Sequence, residues 1–245
     1  MTWLRRLATL AILAFFLFPI ANLAMVSLKS QGTIALAGFL PKELYWANWP
    51  DAFGSIALAT YLRNSAVAAL GGALLTVLIA VPATHAIVRH KLGGAFLPSF
   101  ILGTYMAPPI VALFPLFFLL KALGLLNTLP GHVLVYGVMN LPVAFWLLSG
   151  FVRLEEAAVI DGAGYGTLLW RVVTPPLLPG IVSTAIICLI LAYNEFLLAA
   201  FLTRSEASRT LPVGLSLYQG DRQLRYGQMA VASLVGMAPV CFLAV

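Results

Sequence analysis

Three consecutive side chains near the end of a long apolar run could bind a solute: Tyr193, Asn194 and Glu195. Their phenol, amide and carboxylate groups can hydrogen-bond the hydroxyl groups of a sugar, and the tyrosine ring can stack on its apolar face. Successive helical residues step by about 100°, so the three side chains cannot all point in one direction. They are therefore candidates for a solute pathway or, equally, for hydrogen bonds between neighbouring helices, worth about 1 kcal/mol each.

A second group of charged side chains lies in segment 153–178, which contains three of the eight acidic residues, Glu155, Glu156 and Asp161. The glutamates and adjacent alanines favour a short helix, the glycines that begin at Gly162 permit a turn, and Pro175 ends a second short helix. So short a segment cannot bury a core of its own. It is either a solvated connector or a small helical surface that contacts another protein.

No motif for catalysis or metal binding accompanies these groups. No lysine follows a glycine, so there is no Gly-Lys-Ser/Thr phosphate loop. Neither a Gly-x-Ser-x-Gly elbow nor a His-Glu-x-x-His helix occurs. The histidines lack metal-ligand spacing, and the basic residues, which produce a net charge of +6, form no stripe for nucleic acid. We expect a protein that is not an enzyme and binds neither metal nor nucleic acid.

The composition identifies the elements that must position these residues. Apolar residues make up 62% of the 245 residues and charged residues 9%, against about 45–50% and about 25% in soluble domains. A bilayer core about 30 Å thick needs about 20 helical residues, and continuous apolar runs favour helices over barrel strands. The sequence predicts an all-α membrane protein with six spans, at about 7–28, 64–88, 92–120, 133–152, 179–202 and 228–245.

Two of these spans contain residues that should bend or break a helix. Pro108, Pro109 and Pro115 lie in the third span, and Asn140 lies beside Pro142 in the fourth. Backbone groups freed by such breaks must face water or protein, so we expect Asn140 and the proline pair near the pathway. Charge alone leaves the orientation open, because an inside N-terminus puts six basic residues inside and eight outside.

Segment 153–178 resembles a known motif. Glu156-Ala157-Ala158, then Gly162 and Val172-Val173-Thr174-Pro175, is similar to the EAA motif of permease subunits of bacterial ABC importers. The family pattern ends in Ile-x-Leu-Pro, so Thr174 is a departure. The run from Glu156 to Ala163 resembles the version in carbohydrate importers of the maltose type. Six shorter segments are similar to the same family, in order: Ser27–Lys29, Asn64–Ser65, Leu123–Thr128, Asn140–Pro142, Tyr193–Phe196 and Thr210–Gly214.

The resemblance implies the type I ABC importer permease fold in a bacterial cytoplasmic membrane, with six transmembrane helices and the N-terminus inside. Segment 153–178 would also lie inside and form the coupling helix that contacts an ATPase subunit. Glu156 would make the charged contact and Gly162 would allow the turn. The implied coupling residues are Glu155, Glu156, Ala157, Ala158, Asp161, Gly162 and Ala163.

The resemblance also implies partners: a second homologous permease, two ATPase subunits that bind ATP and Mg, and an extracytoplasmic solute-binding protein that delivers a sugar. This chain would bind no cofactor directly. Segment 40–53, rich in aromatic residues, would lie at the membrane surface and could dock the binding protein. In maltose-type relatives the partner permease holds most of the sugar, and here Tyr193, Asn194, Glu195 and Asn140 are the pathway candidates.

Two alternatives accompany this interpretation. One is a permease of the same family for another solute, such as a polyamine. The other is an ion-driven secondary transporter, which would need repeats with unwound spans at matching positions of its two halves. The sequence shows no such symmetry. ATP-dependent uptake by the purified complex distinguishes the two transporter classes.

Overall fold

The computed structural model describes residues 2–34, 38–152, 174–219 and 225–243, and these ranges contain eleven α-helices. The helices are α1 (Thr2–Ser27), α2 (Asn48–Ser55), α3 (Leu58–His90), α4 (Phe96–Tyr105), α5 (Pro109–Ala122), α6 (Leu129–Met139), α7 (Leu141–Val152), α8 (Thr174–Tyr193), α9 (Leu197–Leu202), α10 (Leu211–Ser216) and α11 (Tyr226–Leu243).

Among these helices, α1, α3 and α8 are each long and apolar enough to cross a membrane. The pairs α4–α5 and α6–α7 are each long enough together but bent, by 95° and 46°. The described residues therefore contain three candidate spans, or five if each bent pair crosses once. Helix α11 is apolar but shorter, so the count of six stays a prediction.

Helices α3 and α6 begin earlier than the spans predicted for them. Helix α3 starts at Leu58 rather than Asn64, because Arg63 limits an uncharged window but does not interrupt backbone hydrogen bonding. Helix α6 starts at Leu129, before the fourth span predicted from about residue 133. The Thr128 side chain accepts a hydrogen bond from the Gly131 amide at 3.1 Å, and a proline in the first turn is compatible with a helix start.

The predicted breaks are confirmed at two places. The 95° bend falls between Tyr105 and Pro109, where two prolines adjoin, and the 46° bend falls at Asn140, next to Pro142. Pro115, by contrast, lies inside α5 and does not interrupt it. One break was not predicted: the fifth apolar run divides into α8 and the short α9, with Asn194, Glu195 and Phe196 between them.

One compact unit comprises Met1–Leu62 and Leu211–Val245. Helix α11 packs against α1 and α2 in this unit. The buried Asn48 amide donates hydrogen bonds to the carbonyl oxygens of Ser27 and Lys29, at 2.9 and 2.8 Å. A Cβ atom at Gly227 would lie 2.4 Å from the Asn48 Nδ2 atom, so only glycine allows this approach of α11.

The second unit comprises Arg63–Thr210 and contains the four pathway candidates, Asn140, Tyr193, Asn194 and Glu195. Within it α7 packs against α4 and α8, and α5 packs against α9. Helices α3 and α6 approach closely at Gly72, which has no side chain. A Cβ atom at this position would lie 2.8 Å from the Tyr136 Cβ atom. The Thr76 hydroxyl oxygen lies 2.9 Å from the Gly137 carbonyl oxygen and connects the two helices. Small residues and hydroxyl groups of this kind are typical of helix contacts in membranes.

Candidate functional site

The break between α8 and α9 is stabilised by Glu195. Its two carboxylate oxygens accept hydrogen bonds from the backbone amides of Leu198 and Ala199, at 2.8 and 3.0 Å. These amides belong to the first turn of α9 and have no partner inside that helix. A carboxylate is favoured at a helix N-terminus by the helix dipole. Glu195 therefore acts as the cap of α9, which sequence analysis did not distinguish from a pathway role.

Glu195 also connects this break to α6. The Tyr136 hydroxyl donates to the second carboxylate oxygen at 3.5 Å, and Tyr136 is only 2% exposed. One turn earlier on α6, the His132 ring lies 5.7 Å from the Tyr136 ring. The His132 Nδ1 atom lies 2.8 Å from the Thr128 carbonyl oxygen, so this nitrogen carries the proton. Glu195, Tyr136 and His132 form a polar column in an apolar helix bundle.

The three consecutive candidates differ in burial, and only Tyr193 belongs to a helix, since α8 ends there. Tyr193 is buried at the end of α8, Asn194 is exposed, and Glu195 is half-buried. The Asn194 amide donates to the Ile190 carbonyl oxygen of α8 at 2.9 Å. Of the three side chains, Asn194 is the exposed one.

Asn140 lies at the bend between α6 and α7 and is 8% exposed. Its amide donates to the Cys188 carbonyl oxygen on α8 at 3.3 Å. This contact joins the α6–α7 bend to α8, the helix that ends at the α8–α9 break. Asn140 is buried, whereas Asn194 is exposed.

A set of contacts that sequence reasoning missed surrounds segment 203–210. Asn64 is fully buried, and its amide nitrogen lies 2.9–3.3 Å from the carbonyl oxygens of Glu206, Ala207 and Arg209. Asn64 appeared in the sequence only as part of a family-like dipeptide. Its partners lie more than a hundred residues away, so no local pattern indicates this role.

Asn127 holds the same segment from the connection between α5 and α6. Its side-chain oxygen accepts hydrogen bonds from the amides of Arg204 and Ser205 and from the Ser208 hydroxyl, at 2.8, 3.0 and 2.7 Å. The Asn127 backbone adopts φ = 59°, a left-handed conformation that asparagine tolerates. We call Asn64, Asn127 and segment 203–210 the asparagine clamp.

The predicted coupling residues Glu155, Glu156, Ala157, Ala158, Asp161, Gly162 and Ala163 lie outside the described residues. The helices on either side of them are described and are packed together. Leu177, 2% exposed, is covered by Val88, Phe151 and Ile181. A Cβ atom at Gly180 would lie 2.6 Å from the Phe151 ring, so α7 and α8 approach closely. We call Val88, Phe151, Leu177 and Ile181 the loop base.

Segment 40–53, rich in aromatic residues, belongs to the other unit. Its Tyr45 amide donates to the Leu28 carbonyl oxygen at 2.9 Å, so the segment is attached to the end of α1. Tyr45 and Trp46 are exposed, by 43% and 61%, while Trp49 is half-buried. Exposed aromatic residues next to the end of a candidate span are typical of the membrane–water interface.

A family profile described as "Binding-protein-dependent transport system inner membrane component" matches residues 72–245. The chain is 36% identical to the sulfoquinovosyl glycerol transport system permease protein SmoH of Agrobacterium fabrum, over 99% of this chain and 88% of that protein. It is 31% identical to the trehalose transport system permease protein SugB of Mycobacterium tuberculosis, over 94% of this chain and 86% of that protein.

The fold is similar to that of a solved chain from a bacterial ABC transporter involved in the import of the acidic polysaccharide alginate. The TM-score is 0.76, with 19% sequence identity, and the match covers 99% of this chain and 93% of the other. At this identity the likeness concerns the fold alone.

Proposed function

Because this chain belongs to the family of binding-protein-dependent transport system inner membrane components, we propose that it is a permease subunit of an ATP-driven importer for a sugar. The observation that carries the proposal is its identity of 36% and 31%, almost end to end, with permeases named for sulfoquinovosyl glycerol and for trehalose. The absence of a phosphate-loop sequence fits a transport subunit whose ATP hydrolysis occurs on separate ATPase subunits that bind ATP and Mg.

The proposed topology has six spans, with the N-terminus and segment 153–178 in the cytoplasm. Helices α1, α3 and α8 and the two bent pairs supply five spans, and α11 supplies the sixth. The asparagine clamp then lies on the outside, where a solute-binding protein arrives. A second homologous permease completes the pathway.

The proposed coupling mechanism uses segment 153–178 as a lever. Closure of an ATPase dimer would push on Glu156 and its neighbours, and the turn at Gly162 would orient the two short helices of the segment. A lever transmits force only if its support is rigid. The loop base supports this role, because Leu177 is buried there between the ends of α3, α7 and α8.

The proposed pathway contact is Asn194, with Tyr193, Glu195 and Asn140 as its supporting residues. Asn194 is exposed, and its side-chain oxygen can accept a hydrogen bond from a sugar hydroxyl. Glu195 holds the adjacent break in position through its bonds to α9. Asn140 fixes the neighbouring bend against α8.

Gly162→Asp tests the coupling proposal. A side chain at the turn should misplace the charged contact, so we expect sugar uptake to fall about tenfold or more while ATP hydrolysis by the complex continues. Uptake and hydrolysis are measured on the same proteoliposomes. Gly54→Asp is the matched control, since Gly54 is exposed in α2 and a Cβ there meets nothing within 4 Å. Normal uptake by Gly162→Asp would contradict the coupling role.

A further inference from the structure

A cavity of about 650 Å³ opens where α3 ends, α4 begins and α7 passes alongside. Its walls come from α4, α7 and the end of α3 with the turn that follows it. The main lining residues are Pro98 and Leu102 in α4, Phe145 and Ser149 in α7, and Ile87 in α3 with Lys91 in the turn. Residues four apart lie on one face of a helix, so α4 and α7 form two walls of a groove.

The groove is polar at one end and apolar along its length. Lys91 is exposed at the mouth, and Ile87 and Phe145 are buried in the walls, 8% and 5% exposed. Leu102 is 38% exposed, which leaves the groove open to the surrounding surface on the α4 side. The Ser149 hydroxyl donates to the Trp146 carbonyl oxygen at 2.7 Å. Lys91 is therefore the charged donor among the described lining residues.

The backbone holds Lys91 at this mouth. The turn between α3 and α4 has three residues with positive φ, Lys91 at 51°, Gly93 at 72° and Gly94 at 56°. The Gly94 amide donates to the Lys91 carbonyl oxygen at 3.0 Å and closes the turn. A non-glycine residue seldom adopts positive φ. This turn places the lysine at the end of the apolar groove rather than on the helix.

In the described wall segments, residues 87–102 and 145–149, every charged side chain is basic. Arg89 precedes Lys91 at the end of α3, and both are exposed. The sequence contains no aspartate or glutamate between residues 52 and 154. Basic pockets between transmembrane helices recognise anionic lipid headgroups, and each basic side chain near the membrane surface contributes about 1 kcal/mol.

We propose that this groove binds one anionic diacyl phospholipid, with its headgroup phosphate at Lys91 and an acyl chain between α4 and α7. A phospholipid matches the order of chemistry along the groove, since a phosphate meets the cation and hydrocarbon meets Leu102 and Phe145. The proposal requires only that α3 and α4 lie in a bilayer, and it is independent of the transported solute and of the coupling segment.

The first test measures the lipid retained by the purified importer complex. The complex is reconstituted in phosphatidylcholine vesicles doped with phosphatidylglycerol, extracted, and analysed by native mass spectrometry. We expect Lys91→Gln to retain about fivefold less phosphatidylglycerol than the original chain, the equivalent of one basic contact near a membrane surface. Lys121→Gln, an exposed lysine in the last turn of α5, is the matched control and should retain the original amount.

The second test fills the groove. Leu102→Trp should reduce phosphatidylglycerol retention, whereas Leu119→Trp, an exposed residue of α5 outside the groove, should not. Equal retention by all four variants and the original chain would overturn the proposal. Equal retention of phosphatidylcholine and phosphatidylglycerol would also overturn it, because Lys91 would then recognise no charge.

The third test needs no variant and so does not depend on folding. A photoreactive phosphatidylglycerol, with its reactive group in the acyl chain, is added to the original complex, and the modified peptides are mapped. We expect adducts in α4 and α7, near Leu102 and Phe145. Adducts confined to other helices would show that the lipid does not bind in the groove and would refute the proposal.

Discussion

The asparagine clamp and the loop base are held by different forces. In the clamp, Asn64 and Asn127 make directional hydrogen bonds to the backbone of an irregular segment. In the loop base, Leu177 is fixed by apolar packing against Val88, Phe151 and Ile181. Hydrogen bonds require one geometry, whereas apolar contacts depend on the volume that the side chains fill. The clamp therefore specifies the shape of an irregular segment, and the loop base holds three helix ends together by close packing.

The largest expected effect on stability is at the loop base. Leu177→Ala should lower the free energy of unfolding of the subunit by about 2–3 kcal/mol, because it leaves a cavity between three helix ends. Chemical denaturation of the purified complex measures this change. Leu177→Met keeps the volume and should cost less than about 1.5 kcal/mol. If the two variants were equally destabilised, volume would not be what holds the loop base.

An intermediate effect is expected at the clamp. Asn64→Leu keeps a side chain of similar size but removes the donor to the carbonyl oxygens in segment 203–210, which should cost about 1–2 kcal/mol. The same denaturation experiment measures it, and faster amide exchange in that segment should accompany it. The control is Asn194→Leu, since the Asn194 amide donates only within its own helix end. An unchanged stability of Asn64→Leu would remove the contrast between the two regions.

The smallest effect on stability is expected at the α8–α9 break. Asn194→Ala should leave unfolding nearly unchanged but raise the KM for sugar uptake about fivefold, the loss of one hydrogen bond of about 1 kcal/mol. Glu195→Gln should leave KM nearly constant but lower the free energy of unfolding by about 0.5–1 kcal/mol, because it weakens the interaction with the α9 dipole. If only Glu195→Gln raised KM, the pathway contact would be Glu195 rather than Asn194.

The sequence predicts where apolar helices run better than where they stop. Windows without charge place the second span at Asn64, but α3 begins at Leu58 because a lone arginine is compatible with helical hydrogen bonding. The prolines at 108 and 109 identify their bend correctly, since the loss of a backbone donor is a local property. Pro115, in the same run, is accommodated inside α5.

Some roles of the site residues follow from their neighbours in the sequence, and others depend on residues far away in the chain. The helical-step argument for Tyr193, Asn194 and Glu195 assumed a continuous helix, whereas α8 ends at Tyr193. The capping of α9 by Glu195 is a local interaction, but the apolar residues on both sides of Glu195 give no sign of a helix break. The role of Asn64 is not predictable in this way, because its partners at Glu206 to Arg209 are brought to it only by the folded chain.

The asparagine clamp has a consequence for the conditions in which an importer works. Amide groups neither gain nor lose a proton across the range of acidity that bacteria meet, and a neutral hydrogen bond is little affected by dissolved ions. A surface held by carboxylates and ammonium groups would loosen in acid or brine. In the proposed topology the clamp faces outward, and Asn64 and Asn127 would then keep segment 203–210 in one form whatever water surrounds the cell.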